Sequence, residues 1–132
     1  MAGLTDTAEN LALDWLLNVG TPTRPAVTHV ALYTVAPTDT TAGTEVTNAN
    51  AYARTAVTFG AASAGASANT NTVTFPAATG SWGTVVAIGL VTSATHGAGT
   101  LVGYGAATPN KTVGSTDVVE FPIGDIDVTF TD

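Results

Sequence analysis

The chain has 132 residues, no cysteine and a formal net charge of −7, from ten acidic and three basic residues. The lack of cysteine excludes disulfides, thiolate metal sites and cysteine nucleophiles, and three scattered bases cannot form the basic patch that nucleic acid or an anionic membrane surface requires. Charged residues make up only 10% of the chain, against about 25% in an ordinary globular domain, so either a partner covers part of the surface or the protein works at an extracellular or virion surface.

An amphipathic helix over residues 4–19 is the first predicted element in chain order. At about 100° per residue, its apolar side chains fall on one broad stripe, and polar side chains lie opposite. Thr5 is placed to cap the N-terminus, and Gly20 is placed to close the C-terminus. We expect the stripe to pack on the core of the chain, with Trp15 in a structural role. The stripe consists of Leu4, Ala8, Leu11, Ala12, Trp15, Leu16 and Val19.

Two leucines of this helix do not fit the stripe. Leu13 and Leu17 lie one turn apart on a second face, next to the polar side. Because one core can cover one stripe of a helix but not both faces, this second pair needs another partner. We therefore predict that Leu13 and Leu17 bind a neighbouring subunit. The alternative is that a loop of the same chain covers them.

After Pro25 the hydrophobic period changes from that of a helix to that of strands. Short runs rich in Val, Thr and Phe alternate with turns of small residues. The first run is apolar on both sides and is expected to lie in the centre of a sheet, whereas residues 60–69 are expected to form an exposed loop. Gly103 and Gly105 indicate close approach of another backbone, or a bulge. The predicted strands are 27–34, 54–59, 71–75, 84–92, 100–107, 116–123 and 126–130.

This pattern predicts a mainly β fold: an antiparallel β-sandwich or small barrel of about seven or eight strands with one N-terminal α-helix. We expect a single domain over residues 1–132, with the helix in residues 1–20 and the sandwich in residues 26–132. Alternation along the strands predicts three sets of inward-facing side chains. These are Val86, Ile88 and Leu90; Val119, Phe121 and Ile123; and Ile126, Val128 and Phe130.

Three further residues are expected to have structural roles. Glu45 and Arg54 flank a tight connection, and an ion pair between them is predicted to fix it. An exposed pair of this kind contributes well under about 1 kcal/mol, whereas removing one partner of a buried pair costs far more. Trp82 precedes a glycine between two predicted strands and is expected to be packed at a corner of the fold.

The histidines do not indicate catalysis. His29 falls in a predicted strand and His96 in a glycine-flanked turn, and neither has an acidic neighbour in the sequence. The chain contains no zinc-protease spacing, no Gly-x-Ser-x-Gly motif and no phosphate-binding glycine loop that opens a helix. We therefore expect no catalytic residues, no enzymatic activity and no cofactor.

Two other groups of residues suggest ligands, and each has a simpler interpretation. Asp125 and Asp127 could share a face and bind Ca²⁺, but an aspartate at this point is also typical of a turn that enters a strand. Trp82 and Tyr104 could form a surface that stacks on a sugar, but aromatic residues far apart in sequence are more often core residues. We expect no metal site.

The N-terminal region does not resemble a secretory signal, because no Lys or Arg precedes Arg24 and acidic residues interrupt its apolar run. No stretch reaches the roughly 18 apolar residues of a membrane helix. We expect the protein to be made in the cytoplasm and to stay soluble until it is assembled.

The order of several short segments carries a resemblance to a known family. The segments are residues 8–17 (AENLALDWLL), 29–34 (HVALYT), 43–46 (GTEV), 52–54 (YAR), 57–59 (VTF), 71–76 (NTVTFP) and 82–83 (WG). In this order they resemble a family of small virion proteins of tailed bacteriophages, which are often labelled tail fibre proteins and sometimes only structural proteins. The resemblance covers most of the chain, implies a structural role in the virion and supplies no catalytic residues. Residues 47–51 replace a glycine-rich patch that is usual in the family.

Two structural roles follow from the resemblance. The one we favour from the sequence is a capsid cement or decoration protein that stabilises the head by binding the lattice of the major capsid protein, because a compact chain with low charge and two extra helix leucines suits docking on a protein lattice. The alternative is a tail, fibre or baseplate component that contributes to binding a host receptor such as a glycan. Either role implies other virion proteins as partners, self-association, and a location in the virion after synthesis in the host cytoplasm.

Overall fold

The computed structural model describes residues 3–130. Helix α1 spans Asp6–Leu16, and the described residues form ten strands, more than the seven or eight expected. The strands are β1 (Gly3–Leu4), β2 (His29–Val35), β3 (Thr44–Glu45), β4 (Thr55–Ala56), β5 (Ala66–Ala68), β6 (Val73–Thr74), β7 (Gly83–Val91), β8 (Leu101–Val113), β9 (Glu120–Phe121) and β10 (Asp127–Thr129).

The main sheet has the strand order β1-β8-β7-β2-β3, and β4 also pairs with β2. Two further sheets have two strands each, β5 with β10 and β6 with β9, and every pairing is antiparallel. The main sheet ends at β1 and β3 and does not close into a barrel. The predicted mainly β fold, with antiparallel sheets and one N-terminal helix, is therefore confirmed in its sandwich form, and β2 lies inside its sheet as its two-sided apolar pattern indicates.

The main core lies between the main sheet and the two small sheets. Val30 and Leu32, alternate residues of β2, point into it together with side chains of β7. Val73, Val119 and Ile126 reach it from the other layer. Burying one such side chain contributes about 1.5–3 kcal/mol. The largest fully buried side chains of this core are Phe75, Leu32, Leu90, Ile126, Val30, Val46, Val73, Val85 and Val113.

A second, smaller cluster covers the opposite face of the main sheet. It consists of the buried residues Ala31, Tyr33, Ala87 and Val91, with Val86 and Leu101 packed against them. The ring of Tyr33 lies against Gly89, where an added Cβ would come within 2.6 Å of the Tyr33 Cε2 atom. Glycine at position 89 therefore makes the space in which Tyr33 is buried.

A bulge in β8 changes which side chains of β7 face the core. Val85 pairs with Lys111 while Ala87 pairs with Ala106, so two steps along β7 correspond to five along β8. As a result Val85 joins Ile88 in the main core, and Val86 lies against the smaller cluster. The prediction that Val86 shares the face of Ile88 is wrong because simple alternation does not survive the bulge.

The other side of β8 pairs with β1 over only two residues, Gly103 and Tyr104. An added Cβ on Gly103 would lie 2.8 Å from the carbonyl oxygen of Gly3. The predicted close approach of another backbone at Gly103 is therefore confirmed. Beyond this short pairing, residues 108–112 of β8 are exposed.

Residues 60–69 contain β5, so the prediction of an exposed loop over this whole stretch is wrong. Asn69, which is 1% exposed, ends this segment. Its Oδ1 accepts a hydrogen bond from the amide of Ile126 at 2.9 Å, and its Nδ2 donates to the carbonyls of Asn71 at 2.7 Å and Pro122 at 3.0 Å. These bonds supply the order that the small side chains of this segment cannot supply by packing.

The last two strands are shorter than predicted, and their outer residues are exposed. β9 ends at Phe121, a turn with Gly124 at φ +83° follows, and Ile123 in that turn is 65% exposed. Phe130 lies after the end of β10 and is 64% exposed. The predicted inward positions of Ile123 and Phe130 are wrong because alternation predicts facing only where a strand continues.

Helix α1 is shorter than predicted at both ends. Residues 3–4 pair with β8 as a strand, and Thr5 caps the helix by accepting a hydrogen bond from the amide of Ala8 at 3.4 Å, as expected. At the C-terminus Asn18 has φ +59°, and the amide of Val19 donates to the carbonyl of Asp14 at 2.8 Å. This is a Schellman closure, and Asn18 rather than Gly20 ends the helix.

Candidate functional site

The C-terminal half of α1 and the turn that follows it expose a group of large apolar side chains. We call this group the helix end, and it consists of Leu13 (52% exposed), Trp15 (72%), Leu16 (67%), Leu17 (68%) and Val19 (55%). In the first half of the helix Ala8 is buried, and Leu11 and Ala12 are half-buried against the body of the chain. The expectation that the whole stripe packs on the chain's own core is wrong for Trp15, Leu16 and Val19, because the body supports only the first two turns.

Apolar side chains surround the helix end on several sides. At about 100° per residue, Trp15 continues the stripe that begins at the buried Ala8, whereas Leu13 and Leu17 point away from it. Val19 follows the closure of the helix at Asn18. No loop among residues 3–130 covers Leu13 or Leu17, which are both more than half exposed. Apolar surface on several sides of a helix is normally covered, so binding of Leu13 and Leu17 to a neighbour stays a prediction that this geometry favours.

The N-terminus of α1 is held firmly to the body. The Thr5 hydroxyl donates to the carbonyl of Leu101 at 2.9 Å, and the Thr5 amide donates to the carbonyl of Val102 at 2.9 Å. The Asp6 amide donates to the carbonyl of Asp39 at 3.2 Å. The Tyr104 hydroxyl donates to the Asp39 carboxylate, and this bond raises the pKa of Tyr104. The helix end therefore projects from a fixed base.

A polar group lies beside β3, and we call it the Glu45 cluster: Glu45, Tyr52, Arg54 and His96. The side chains of the first three are buried, and that of His96 is 32% exposed. Arg54 donates from Nε to Oε1 of Glu45 at 2.8 Å and from Nη2 to Oε2 at 2.8 Å. The Tyr52 hydroxyl donates to Oε1 of Glu45 at 2.8 Å and accepts from the amide of Leu32 at 3.0 Å. The side chains of Arg54 and Glu45 are only 4% and 9% exposed, so this two-bond pair is buried.

The same cluster holds the loop between β7 and β8. Nη1 of Arg54 donates to the carbonyls of Ser93 at 2.9 Å and Ala98 at 2.8 Å. Nε2 of His96 lies 2.9 Å from the carbonyl of Val46 and 3.8 Å from Oε2 of Glu45. No sequence pattern predicts this contact, because His96 lies 51 positions after Glu45 along the chain. The cluster thus connects three separate stretches of the chain.

Ionisation follows from these contacts. Burial opposes the charge on Glu45, but the hydrogen bonds from Arg54 and Tyr52 outweigh it and hold the pKa of the carboxyl below its ordinary value. The hydrogen bonds to Glu45 raise the pKa of Arg54. Burial raises the pKa of Tyr52 well above its ordinary value. At neutral pH the cluster therefore contains one carboxylate, one guanidinium and a neutral phenol.

A cavity of about 420 Å³ opens beside the cluster. Its floor is the apolar surface of Tyr33, Val91 and Leu101, and burial raises the pKa of Tyr33 to about 12. The charged groups on its wall, Glu45 and Arg54, are bound to one another. These bonds, with those from Arg54 to the loop carbonyls, order the loops around the cavity.

Trp82 lies at the other end of Tyr52, inside the main core. It is 5% exposed, its Nε1 donates to the carbonyl of Asn50 at 2.9 Å, and its ring meets that of Tyr52 edge-on at 5.3 Å. Asn50 has φ +54°, and its Nδ2 donates to the carbonyl of Ser81 at 3.0 Å. Tyr52 and Asn50 thus join the Glu45 cluster to the core, and sequence reasoning assigned a role to neither.

The other candidate ligand groups are not brought together. Because Trp82 is buried, it forms no exposed sugar-stacking surface with Tyr104. His29 lies half-buried in β2, with its Nδ1 2.8 Å from the hydroxyl of Thr28. Within residues 3–130 no group of three or more His, Asp or Glu side chains, including Asp125 and Asp127, is placed to hold a metal ion. None of the helices described is long and apolar enough to cross a membrane.

Comparison with known proteins adds a family to this geometry. A family model described as podophage GP4 fiber I protein gp80 matches residues 3–129. No curated protein matches the chain. Because the family match spans nearly all of the sequence, including α1 and both layers of the sandwich, the chain belongs to the podophage GP4 fiber I protein gp80 family, a family of small structural proteins of tailed-phage virions.

Proposed function

We propose that the chain is a non-enzymatic component of a virion fibre and that it attaches to a neighbouring virion protein through the helix end. The observation that carries this proposal is the exposure of five large apolar side chains within residues 13–19. Contiguous apolar surface of this kind marks an interaction site in a folded protein. The firm attachment at Thr5 and Asp6 keeps that surface in a fixed position.

The fibre role fits the family description better than the capsid cement role does. The low charge and compact size that favour the capsid cement role suit a fibre subunit equally. A cement protein and a fibre subunit would each bury part of its surface against other virion proteins. A glycan-binding role has less support, since the Trp82–Tyr104 stacking surface is not formed. The proposal is therefore an attachment role in a fibre rather than a receptor-binding role.

The Glu45 cluster supports a structural function without catalysis. Each charged group of Glu45 and Arg54 is bound to another group of the same chain, so the cluster orders loops. In this proposal the protein is made in the host cytoplasm, works in the virion and needs no cofactor.

Location and copy number test the proposal. Purified virions are separated into heads and tails with fibres, and the chain is quantified in each fraction by mass spectrometry with labelled standard peptides. We expect a copy number that matches the fibres counted by electron microscopy. Hundreds of copies that fractionate with the capsid shell would overturn the fibre role and support the cement role.

The contribution of the helix end is tested separately. A Trp15→Ser/Leu17→Ser variant is expected to fold normally but to be missing from the particles, whereas Ile123→Ser, at an equally exposed site in the second layer, is expected to be incorporated like wild type. Normal incorporation of the double variant would show that another surface makes the attachment.

A further inference from the structure

We infer that the helix end inserts into an apolar cup on a different virion protein, and that Lys or Arg side chains form the rim of this cup. This inference rests on the proposed attachment role and adds the chemistry of the partner. It is argued from the shape of the helix end, from the other surfaces of the chain and from the distribution of charge.

The shape of the helix end requires a concave partner. Trp15 and Leu13 point to different sides of the helix, and both are more than half exposed. A flat surface would cover one side and leave the other in water. Only a cup or groove removes both from water, and each fully buried side chain of this size contributes about 1.5–3 kcal/mol.

Two cavities on the chain could in principle receive the helix end of a second copy, but neither is an apolar cup. The cavity of about 420 Å³ has Glu45, Arg54 and His96 on its wall. The other, of about 180 Å³, is lined mainly by threonines, with Asp39 among them. Inserting leucine or tryptophan would cover the partly exposed His96 side chain (32%) in the first cavity, and threonine hydroxyls and Asp39 in the second. An apolar side chain supplies no hydrogen bonds to replace the water it displaces there, which is unfavourable.

Contact between two helix ends of identical copies is disfavoured by charge. Helix α1 contains Asp6, Glu9 and Asp14 and no basic residue, and no basic residue lies in its last turn. The C-terminal end of the helix dipole adds negative potential, and the whole chain has a net charge of −7. Two copies would bring like charges together, whereas a rim of Lys or Arg would complement Asp14 and the helix terminus. Self-association through another surface stays a separate prediction.

The test uses intact particles and a photocrosslinker. p-Benzoylphenylalanine replaces Leu17 in one variant and Ile123 in a matched control, since both positions are about two-thirds exposed. After irradiation of purified virions, mass spectrometry identifies the crosslinked peptides. We expect position 17 to link to a different virion protein, at a peptide with apolar residues next to Lys or Arg, and position 123 not to give that product.

The outcomes separate this inference from the attachment role. A crosslink from position 17 to a second copy of the chain, or to an acidic peptide, would overturn the inference and leave attachment intact. Absence of any crosslink at position 17 in particles that contain the chain would overturn both. As a second measurement, Asp14→Lys is expected to lower incorporation about threefold to tenfold, and Asp14→Asn less. Unchanged incorporation of Asp14→Lys would contradict the basic rim.

Discussion

The Glu45 cluster and the helix end both depart from the usual placement of side chains. The cluster buries charged side chains, which are normally exposed, and the helix end exposes apolar side chains, which are normally buried. The cluster buries an ion pair whose side chains are 4% and 9% exposed, and the helix end exposes a tryptophan that is 72% exposed. Buried charge is tolerated where every group is hydrogen-bonded, whereas exposed apolar surface is most useful where another molecule covers it. The groups of the cluster are satisfied within one chain, whereas the chain leaves the helix end exposed.

The completeness of the cluster has a structural cause. Glu45 receives three hydrogen bonds from Arg54 and Tyr52, and Arg54 uses its remaining nitrogen on two loop carbonyls. The helix end makes no comparable set of contacts with its own chain, because the residues that follow Ala12 in the helix are exposed. Changes in the cluster should therefore affect folding, and changes in the helix end should affect assembly.

The largest expected effect on folding comes from Glu45→Ala. It leaves the buried guanidinium of Arg54 without its carboxylate, which is expected to lower the free energy of unfolding by about 3–5 kcal/mol. Urea unfolding followed by circular dichroism measures this. The double variant Glu45→Leu/Arg54→Leu should lose less than the sum of the two single variants, because it leaves no unpaired charge. A loss below about 1 kcal/mol for Glu45→Ala would show that the cluster behaves as a surface pair.

Gly43→Ala is expected to cost about 2–4 kcal/mol. Gly43 has φ +65°, and an added Cβ would lie 2.4 Å from the carbonyl oxygen of Val35 and 2.7 Å from the nitrogen of Pro37. Gly20→Ala is the matched control, because Gly20 has φ +61° with no atom within 4 Å of the added Cβ. It should cost about 1–2 kcal/mol, from the backbone conformation alone. Equal thermal shifts in the two variants would contradict the close approach at Gly43.

Acid should destabilise the cluster. The folded pKa of Glu45 lies below its unfolded value, so the stabilisation is fully present above the unfolded pKa of about 4.3 and is lost as the pH falls through the folded pKa. Melting temperatures of wild type and Glu45→Gln, compared from pH 7 downward, test this. The difference in melting temperature between wild type and Glu45→Gln should narrow below about pH 4.3. A constant difference across this range would contradict the assigned ionisation.

The smallest expected effect on folding comes from the helix end. Trp15→Ala and Leu17→Ala should each change the free energy of unfolding by no more than about 0.5 kcal/mol, apart from helix propensity, because the side chains lie mostly in water. Urea unfolding of the isolated protein measures this. A cost of 2 kcal/mol or more, on the order of a buried position, would mean that the chain itself covers these residues.

Much of the fold could be predicted from local chemistry. The central place of β2 follows from its apolar residues on both faces, and the cap at Thr5 follows from its position before the first turn. The outward positions of Phe130 and Ile123 could not be predicted, because alternation gives a direction only while pairing continues. The exposure of Trp15 could not be predicted for a related reason. A helical stripe shows which face of the helix is apolar, but not how far along the helix the rest of the chain covers that face.

The candidate site was predictable only in part. Glu45 and Arg54 are close in sequence and opposite in charge, so their contact could be anticipated. The contributions of Tyr52 and His96 depend on how β2 and the loop after β7 meet in space, which no periodic pattern encodes. Leu13 and Leu17 break the helical stripe, and their exposure agrees with the absence of a covering loop among residues 3–130, but their binding to a neighbour stays a prediction.

The exposed length of β8 has a consequence for assembly at high local concentration. Unpaired strand edges can pair with the edges of other molecules and so lead to aggregation. Proline, lysine and bulges in an edge strand prevent this pairing. Pro109 offers no amide hydrogen, Lys111 would have to be desolvated, and the local irregularity between residues 106 and 111 spoils the repeat of hydrogen-bonding groups. These three features keep the exposed edge of β8 from adding further strands in an open-ended series.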